Sequence, residues 1–268
     1  MSIDTNVLNK VLYTVNDEGV ATVTLDNADK HNAFDDAIIK TLTDIFHDIA
    51  SRDDIKIMVL DANGKSFSAG ADLAWMKRMA GYSYEDNLKD ANALAQMLKA
   101  LNYLPQTTIA KVQGAAFGGA VGLASCCDIV IASNKASFCL SEVKLGLIPA
   151  TISPYVVNAI GLKASRRYFQ TAERFFADKA MQLGLVDEVV ELEQLSNSVD
   201  NMITTLLSNS PQAMRQAKQL AFDVAYQEID ETLLKDTSER IARIRVSDEG
   251  QEGLGAFFEK RSPSWQSS

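Results

Sequence analysis

From residue 10 to about residue 190, short apolar runs alternate with longer amphipathic stretches, and then the short runs stop. That switch constrains the fold more than any other feature. Short β-branched runs separated by helical segments need crossover connections, which lay strands side by side in parallel. Residues 12–15 and 20–25 read as two strands joined by the turn Asn16-Asp17-Glu18-Gly19. Asp35 begins a helical stretch with Ile38, Leu42, Ile45, Phe46 and Ile49 on one face. Residues 55–60 form a buried strand and residues 63–72 a polar, glycine-bearing loop. A long helical pattern follows, with Leu88, Ala91, Leu94, Met97, Leu98 and Leu101, and Pro105 ends it. Residues 107–112 are the next strand, the glycine-rich segment 114–122 opens a helix, and residues 129–131 and 137–140 are further strands.

Beyond residue 193 only helical periodicity remains. Leu195, Val199, Ile203 and Leu206 share one helix face. Pro211 suits the start of a second helix, with Met214, Ala217, Leu220 and Val224 inward. The expectation is an α/β core over residues 1–195 and a helical C-terminal region over residues 196–268, with no low-complexity linker between them.

Composition excludes several classes of function. Hydrophobic residues are 47% and charged residues 23% of 268, enough apolar material to bury a sizeable core. The balance of 26 basic and 35 acidic residues gives −9, which repels nucleic acid and anionic membranes. An anionic ligand therefore needs a local basic patch. No run of 18 apolar residues is present, so no membrane-spanning helix is expected. The opening MSIDTNVLNK lacks the basic and apolar regions of a secretory signal, which sets a cytoplasmic expectation. Cys126, Cys127 and Cys139 read as reduced thiols packing as small apolar groups. With only His31 and His47 beside them, no metal site is expected.

Familiar nucleotide and hydrolase motifs fail. Gly64-Lys65-Ser66 resembles the end of a P-loop, but the glycine required five residues before Gly64 is Val59. The segment 114–122 lacks the G-x-G-x-x-G spacing of a dinucleotide site, and no G-x-S-x-G elbow occurs.

Three other segments carry a resemblance. Leu25-Asp26-Asn27-Ala28-Asp29-Lys30-His31-Asn32-Ala33-Phe34 is the first, and Gly64-Lys65-Ser66-Phe67-Ser68-Ala69-Gly70-Ala71-Asp72-Leu73 the second. The third runs from Val112-Gln113-Gly114 through Gly118-Gly119 to Cys127-Asp128. Together with the stretch 138–149 and the closing Phe257-Phe258-Glu259-Lys260-Arg261, they resemble the crotonase family, the enoyl-CoA hydratases and isomerases, over residues 10–262. The resemblance implies a spiral of strand–strand–helix repeats with a helical C-terminal region that forms trimers or pairs of trimers. It also implies an acyl-CoA substrate and no resident cofactor.

Site residues follow from matching positions. Chemistry beside a thioester puts negative charge on the carbonyl oxygen, which preorganised backbone N–H donors stabilise. The resemblance assigns those donors to Ala71 and Gly119, with Gly118 shaping the helix entry and its dipole adding to the effect. It places the coenzyme A path along Lys30, His31, Ala69 and Asp72, with Phe257 and Lys260 at the nucleotide end. Family hydratases commonly use two glutamates. The second matches Glu142, while the position of the first is Gly122. Glycine moves no proton, so the two-carboxylate mechanism does not transfer unchanged. Glu142, in an apolar neighbourhood, is expected to have a raised pKa suited to acid/base work. The stretch 149–154 replaces a glycine-rich loop, so Ala150 and Thr151 are expected to reshape the acyl pocket or the water site. Gly122 either leaves hydration short of a catalytic group or vacates space for a larger acyl group, and the second is the favoured expectation.

Three functions remain open on the sequence. One is hydration or dehydration of a 2-enoyl-CoA, with a resemblance to bacterial hydratases of branched substrates such as 3-methylglutaconyl-CoA. The second is double-bond isomerisation using Glu142 alone. The third is a non-catalytic acyl-CoA binder.

Overall fold

The computed structural model describes residues 10–266. The segment 1–9, which carries the expectation of no secretory signal, and residues 267–268 lie outside the described residues.

The chain begins with the hairpin β1 (Val11–Val15) and β2 (Val20–Leu25). Gly19 closes its turn at φ +82°, where a Cβ would stand on the Asp54 carbonyl. Helix α1 (Asp36–Ala50) follows, capped by Asp35, whose carboxylate accepts the Ile38 N–H at 3.0 Å. Its buried face is the expected set, Ile38, Leu42, Ile45, Phe46 and Ile49, with Ile39 added.

Then come β3 (Ile57–Ala62), β4 (Ser66–Ser68), α2 (Leu73–Met79), α3 (Tyr84–Asn102), β5 (Thr107–Val112), β6 (Ala115–Phe117), α4 (Gly119–Cys126), β7 (Ile129–Ser133) and β8 (Ser137–Cys139). The core finishes with α5 (Ser153–Thr171), β9 (Phe175–Phe176), α6 (Ala177–Leu183) and β10 (Glu188–Val190). The α/β class is as expected, with one difference of detail. The loop read over residues 63–72 contains β4, and the glycine-rich segment contains β6. A strand of three residues is too short to show a period, so neither leaves a pattern in the sequence.

Two sheets result. The larger has the order β1-β2-β3-β5-β7-β10, parallel from β2 onward. The smaller has the order β4-β6-β8-β9, with β4, β6 and β8 parallel. Each of β3-β4, β5-β6 and β7-β8 therefore passes from the larger sheet to the smaller. Helices then return the chain to the larger sheet, α2 and α3 after β4, α4 after β6, and α5 and α6 with β9 between them after β8, which makes the winding spiral.

The larger sheet is buried on both faces. One side packs its apolar residues with Leu42, Phe46, Leu98, Leu101 and Val156 of the surrounding helices. The other side, with Val20, Ile57, Val59, Ile109 and Ile131, is covered by Leu195 and Val199 of α7 (Leu195–Leu207). This accounts for the continuous apolar runs in the central strands.

Helices α8 (Pro211–Val224), α9 (Glu231–Arg245) and α10 (Asp248–Glu259) follow, and a 3₁₀ turn (Ser264–Gln266) ends the described chain. Pro211 opens α8, as the sequence suggests, and the Ser210 side chain caps it by accepting the Ala213 N–H. The inward set of α8 needs correction: Met214, Leu220 and Val224 are only half-buried and Ala217 is exposed. These helices form an outer layer with apolar chains left open, among them Tyr226 at 93%, Ile229, Phe257 and Phe258. Among the described residues, no helix is long and apolar enough to cross a membrane.

Candidate active site

The three parallel strands of the smaller sheet end side by side, and each delivers one piece of the site. Strand β4 runs into Ala69-Gly70-Ala71, β6 into Gly118-Gly119, and β8 into Leu140-Ser141-Glu142. Ligand sites of parallel α/β sheets form at such carboxyl ends, where the chain leaves the sheet and its backbone groups point outward. The pieces also touch. A Cβ on Gly70, whose φ is +90°, would lie 2.8 Å from the Phe117 carbonyl oxygen. Only a glycine lets the two segments approach this closely. A Cβ on Gly118 would lie 3.3 Å from Glu142 Oε1, so the carboxylate stands beside the entry of α4.

Two backbone N–H groups in this constellation are left without a partner among the described residues. Phe34 and Ala71 form a parallel bridge in which the Phe34 N–H donates to the Gly70 carbonyl at 2.9 Å. The Asp72 N–H donates to the Phe34 carbonyl at 3.0 Å. The pairing uses groups on either side of Ala71 and leaves its own N–H out. Gly119 is the first residue of α4, where the N–H has no carbonyl one turn back to meet. Ala71, Gly118 and Gly119 are all partly exposed, so a ligand oxygen can reach them.

The first motif works as a clasp. His31 and Asn32 both adopt positive φ, 51° and 54°. Asn32 is buried, and its amide donates to the Asn63 carbonyl at 2.7 Å and to the Ser66 carbonyl at 2.8 Å. Its side-chain oxygen accepts the Asn27 N–H at 2.8 Å. An asparagine tolerates the left-handed conformation and offers both donor and acceptor, which explains this residue type here. The Ala69 N–H donates to the His31 carbonyl, and Nδ1 of His31 lies 3.2 Å from Ser66 Oγ. These bonds lock residues 27–34 against the segment 63–72, next to the unpaired Ala71 N–H.

Asp72 caps α2, accepting the Ala74 and Trp75 N–H groups at 2.8 and 3.1 Å. Its other oxygen meets Lys30 Nζ at 2.8 Å. The Lys30 ammonium, helped by those two N–H groups, holds the Asp72 carboxyl below the usual carboxylate range. The ammonium expected to serve an anionic ligand is thus already paired, although half of its side chain is exposed.

Glu142 is half-buried at the start of a 3₁₀ turn (Glu142–Leu145), and its Oε2 is buried without a hydrogen-bond partner among the described residues. Burial pushes its pKa above the ordinary glutamate value. A raised pKa makes the ionised carboxylate a stronger base, which suits a group that must accept a proton and later return it.

The first-glutamate position holds a surprise. A Cβ on Gly122 would stand 2.8 Å from Ile152 Cβ, closer still to Ile152 Cγ2, and 3.5 Å from Leu98 Cδ2. The space is therefore filled by Ile152, which is 2% exposed. The reading that Gly122 vacates room for the acyl group is corrected accordingly. Thr151 is half-buried and Ala150 exposed, so of this stretch it is Ile152 that occupies the missing side chain's place. The sequence singled out this loop without singling out Ile152, because it does not show which side chain points inward.

Phe257 and Lys260 sit apart from this constellation in the chain's own fold. Both are exposed at the end of α10, which packs on α8 and α9, and Phe257 stacks edge-on against Phe258 with ring centres 5.7 Å apart. Phe34, which sequence reasoning passed over as the last letter of a motif, lies at the centre of the site. Among the described residues, no group of three His, Cys, Asp or Glu side chains is placed to hold a metal.

The chain is similar to known proteins over nearly its whole length. The family model described as enoyl-CoA hydratase/isomerase matches residues 15–268. This chain therefore belongs to the enoyl-CoA hydratase/isomerase family, and its architecture is the crotonase fold. An enoyl-CoA hydratase from Shewanella pealeana has a crystal structure that superposes with a TM-score of 0.92 at 52% identity, covering 97% of both chains. An enoyl-CoA hydratase/isomerase from Marinobacter aquaeolei superposes at 0.89 with 32% identity, over 97% of this chain and all of that one. A trans-2-decenoyl-(acyl-carrier-protein) isomerase of Streptococcus mutans is 31% identical over 265 residues, 96% of this chain and 97% of that protein.

Proposed function

We propose that this chain is an enoyl-CoA hydratase that adds water across, or removes it from, a 2-enoyl-CoA. One observation carries the reading. The ends of three parallel strands bring two unpaired N–H groups, of Ala71 and Gly119, to a half-buried carboxyl, Glu142, that has an oxygen without a partner. In this mechanism the thioester oxygen takes both N–H groups. Glu142, ionised, accepts a proton from water as the water oxygen bonds to C3. The electrons of the C2–C3 double bond move to the thioester oxygen, giving an enolate that the two donors stabilise by a few kcal/mol each. Glu142 then returns the proton to C2 as the enolate collapses. One carboxyl serves both transfers, which suits a chain with Gly122 in place of a second.

The substrate class under this reading is a branched enoyl thioester, the class implied by the resemblance. Exposed apolar chains beside the site, Leu73 after Asp72 and Leu147 and Ile148 after Glu142, supply surface for such a group. Coenzyme A arrives with the substrate, and no resident cofactor takes part. Assembly into trimers or pairs of trimers through α8 to α10 accounts for the apolar chains open on that layer, and would offer Phe257 and Lys260 to the nucleotide end of a bound CoA.

Isomerisation is the second reading. The single carboxyl favours it, since moving a proton between two carbons needs no bound water. The test is turnover of 2-enoyl-CoA and 3-enoyl-CoA substrates, straight and branched, read by product mass. A hydratase adds the mass of one water to a 2-enoyl-CoA. An isomerase converts the 3-enoyl-CoA at constant mass and leaves the 2-enoyl-CoA unhydrated, which would overturn the first reading.

A further inference from the structure

Phe34 touches both candidate donors at once. Its backbone N–H and carbonyl bind Gly70 and Asp72, the neighbours on either side of Ala71. Its ring lies directly under Gly119: a Cβ there would be 2.5 Å from Phe34 Cζ and 3.2 Å from Cε2. The side chain is 2% exposed within the main core. The residue itself is held from behind by the clasp around Asn32. A rigid ring wedged between two chain segments sets their separation, because a close-packed interior does not deform continuously.

We propose that Phe34 is a positioning residue that fixes the spacing between the Ala71 and Gly119 N–H groups. The backbone of one residue anchors the first donor, and its ring sets the height of the second. The glycine at 119 is required by that ring as well as by the ligand: any side chain there would meet Phe34 before it met substrate. The inference rests on the proposed role of the two N–H groups in holding the thioester oxygen.

The consequence is specific. Shortening the side chain leaves the backbone bridge at Ala71 intact but lets the Gly118-Gly119 turn relax. Misplacing a catalytic group by about 1 Å costs on the order of 100-fold in rate. Phe34→Leu should therefore lower kcat about 10- to 100-fold while KM changes by less than about threefold. A dienoyl-CoA gives a direct readout, since its absorbance moves to longer wavelength when its carbonyl oxygen is polarised. Bound to the wild-type protein it should shift to the red, and bound to Phe34→Leu the shift should shrink. Phe34→Met, similar in volume to leucine but longer and so able to reach further towards Gly119 without a rigid ring, should fall between them.

A double variant separates positioning from loss of folding. Gly119→Ala alone should lose turnover because its methyl collides with the ring, and Phe34→Leu/Gly119→Ala should regain part of it. The proposal is overturned if the wild-type shift persists unchanged in folded Phe34→Leu, or if the double variant is no more active than Gly119→Ala. If the wild-type protein binds the dienoyl-CoA without any red shift, the donor reading falls and the Phe34 inference falls with it.

Discussion

Gly122 and Ile152 should behave as one packed unit, and stability measurements can show it. A methyl added at Gly122 would stand 2.8 Å from Ile152 Cβ and in contact with Leu98, well inside van der Waals distance. Overpacking a filled core by one such group costs about 1–3 kcal/mol. Ile152→Ala removes a buried side chain and should cost about 2–5 kcal/mol through lost burial and the cavity left behind. Independent sites would add to about 3–8 kcal/mol in the double variant. Here the cavity made by the second change is where the first needs room, so Gly122→Ala/Ile152→Ala should fall short of that sum by about 1–3 kcal/mol. Urea unfolding at one fixed protein concentration measures all four corners of the cycle. The thermal counterpart for Gly122→Ala is a midpoint lowered by about 2–12 °C, at about 2–4 °C per kcal/mol for a chain of this size. Equal midpoints for Gly122→Ala and wild type, or strict additivity in the double variant, would refute the packing. The same geometry bears on function: restoring a second carboxyl by Gly122→Glu requires shortening Ile152 as well, and the single change should misfold or lose activity on every acyl group.

Other expectations follow from named contacts. Asn32→Ala removes the donor to the Asn63 carbonyl, one of two donors to the Ser66 carbonyl and the acceptor of the Asn27 N–H, while Gln113 Nε2 still reaches the Ser66 carbonyl. At about 1–3 kcal/mol per buried unpaired group, the change should destabilise by about 1–3 kcal/mol in urea unfolding. Lys30 is tied to Asp72, so Lys30→Ala should weaken CoA binding less than Lys260→Ala does. Both effects should be larger at low salt, and titration calorimetry at two ionic strengths decides it. Burial raises the pKa of Glu142, so the folded state favours its neutral form. The stability linked to this group is present in acid and is lost as pH rises through the raised value. Glu142→Gln should consequently melt higher than wild type at about pH 8, with the gap closing towards about pH 4. A gap that widens on acidification would reverse the assigned sign.

The elements with a strong period were legible from the residues alone. Helix α1 buries the face that the spacing of Ile38, Leu42, Ile45, Phe46 and Ile49 marks out, and Asp35 caps it. β1, β2 and β5 fall within a residue of the expected runs. What stayed hidden was short or tertiary. Strands β4 and β6 have three residues each, and their pairing is decided by partners far along the chain. Yet their ends create the site, so the sequence named Ala71 and Gly119 through resemblance without showing why they meet. The loss of a glutamate at Gly122 was visible, but its filling by Ile152 was not, since direction of a side chain after Pro149 depends on how α5 docks. Phe34 is the clearest case. Its apolar character predicts burial, while its place under Gly119 arises only from the clasp that Asn32 makes across the chain.

The central claim is that Glu142 moves the proton in a hydration reaction. The most direct measurement is the rate at which wild type and Glu142→Gln convert a 2-enoyl-CoA to the 3-hydroxyacyl-CoA, with acyl-CoA binding measured on the same samples. A positioned acid/base group is worth about 10²–10⁴ in rate. Glu142→Gln should have a kcat lower by that factor, with binding retained. Undiminished hydration by Glu142→Gln would contradict it.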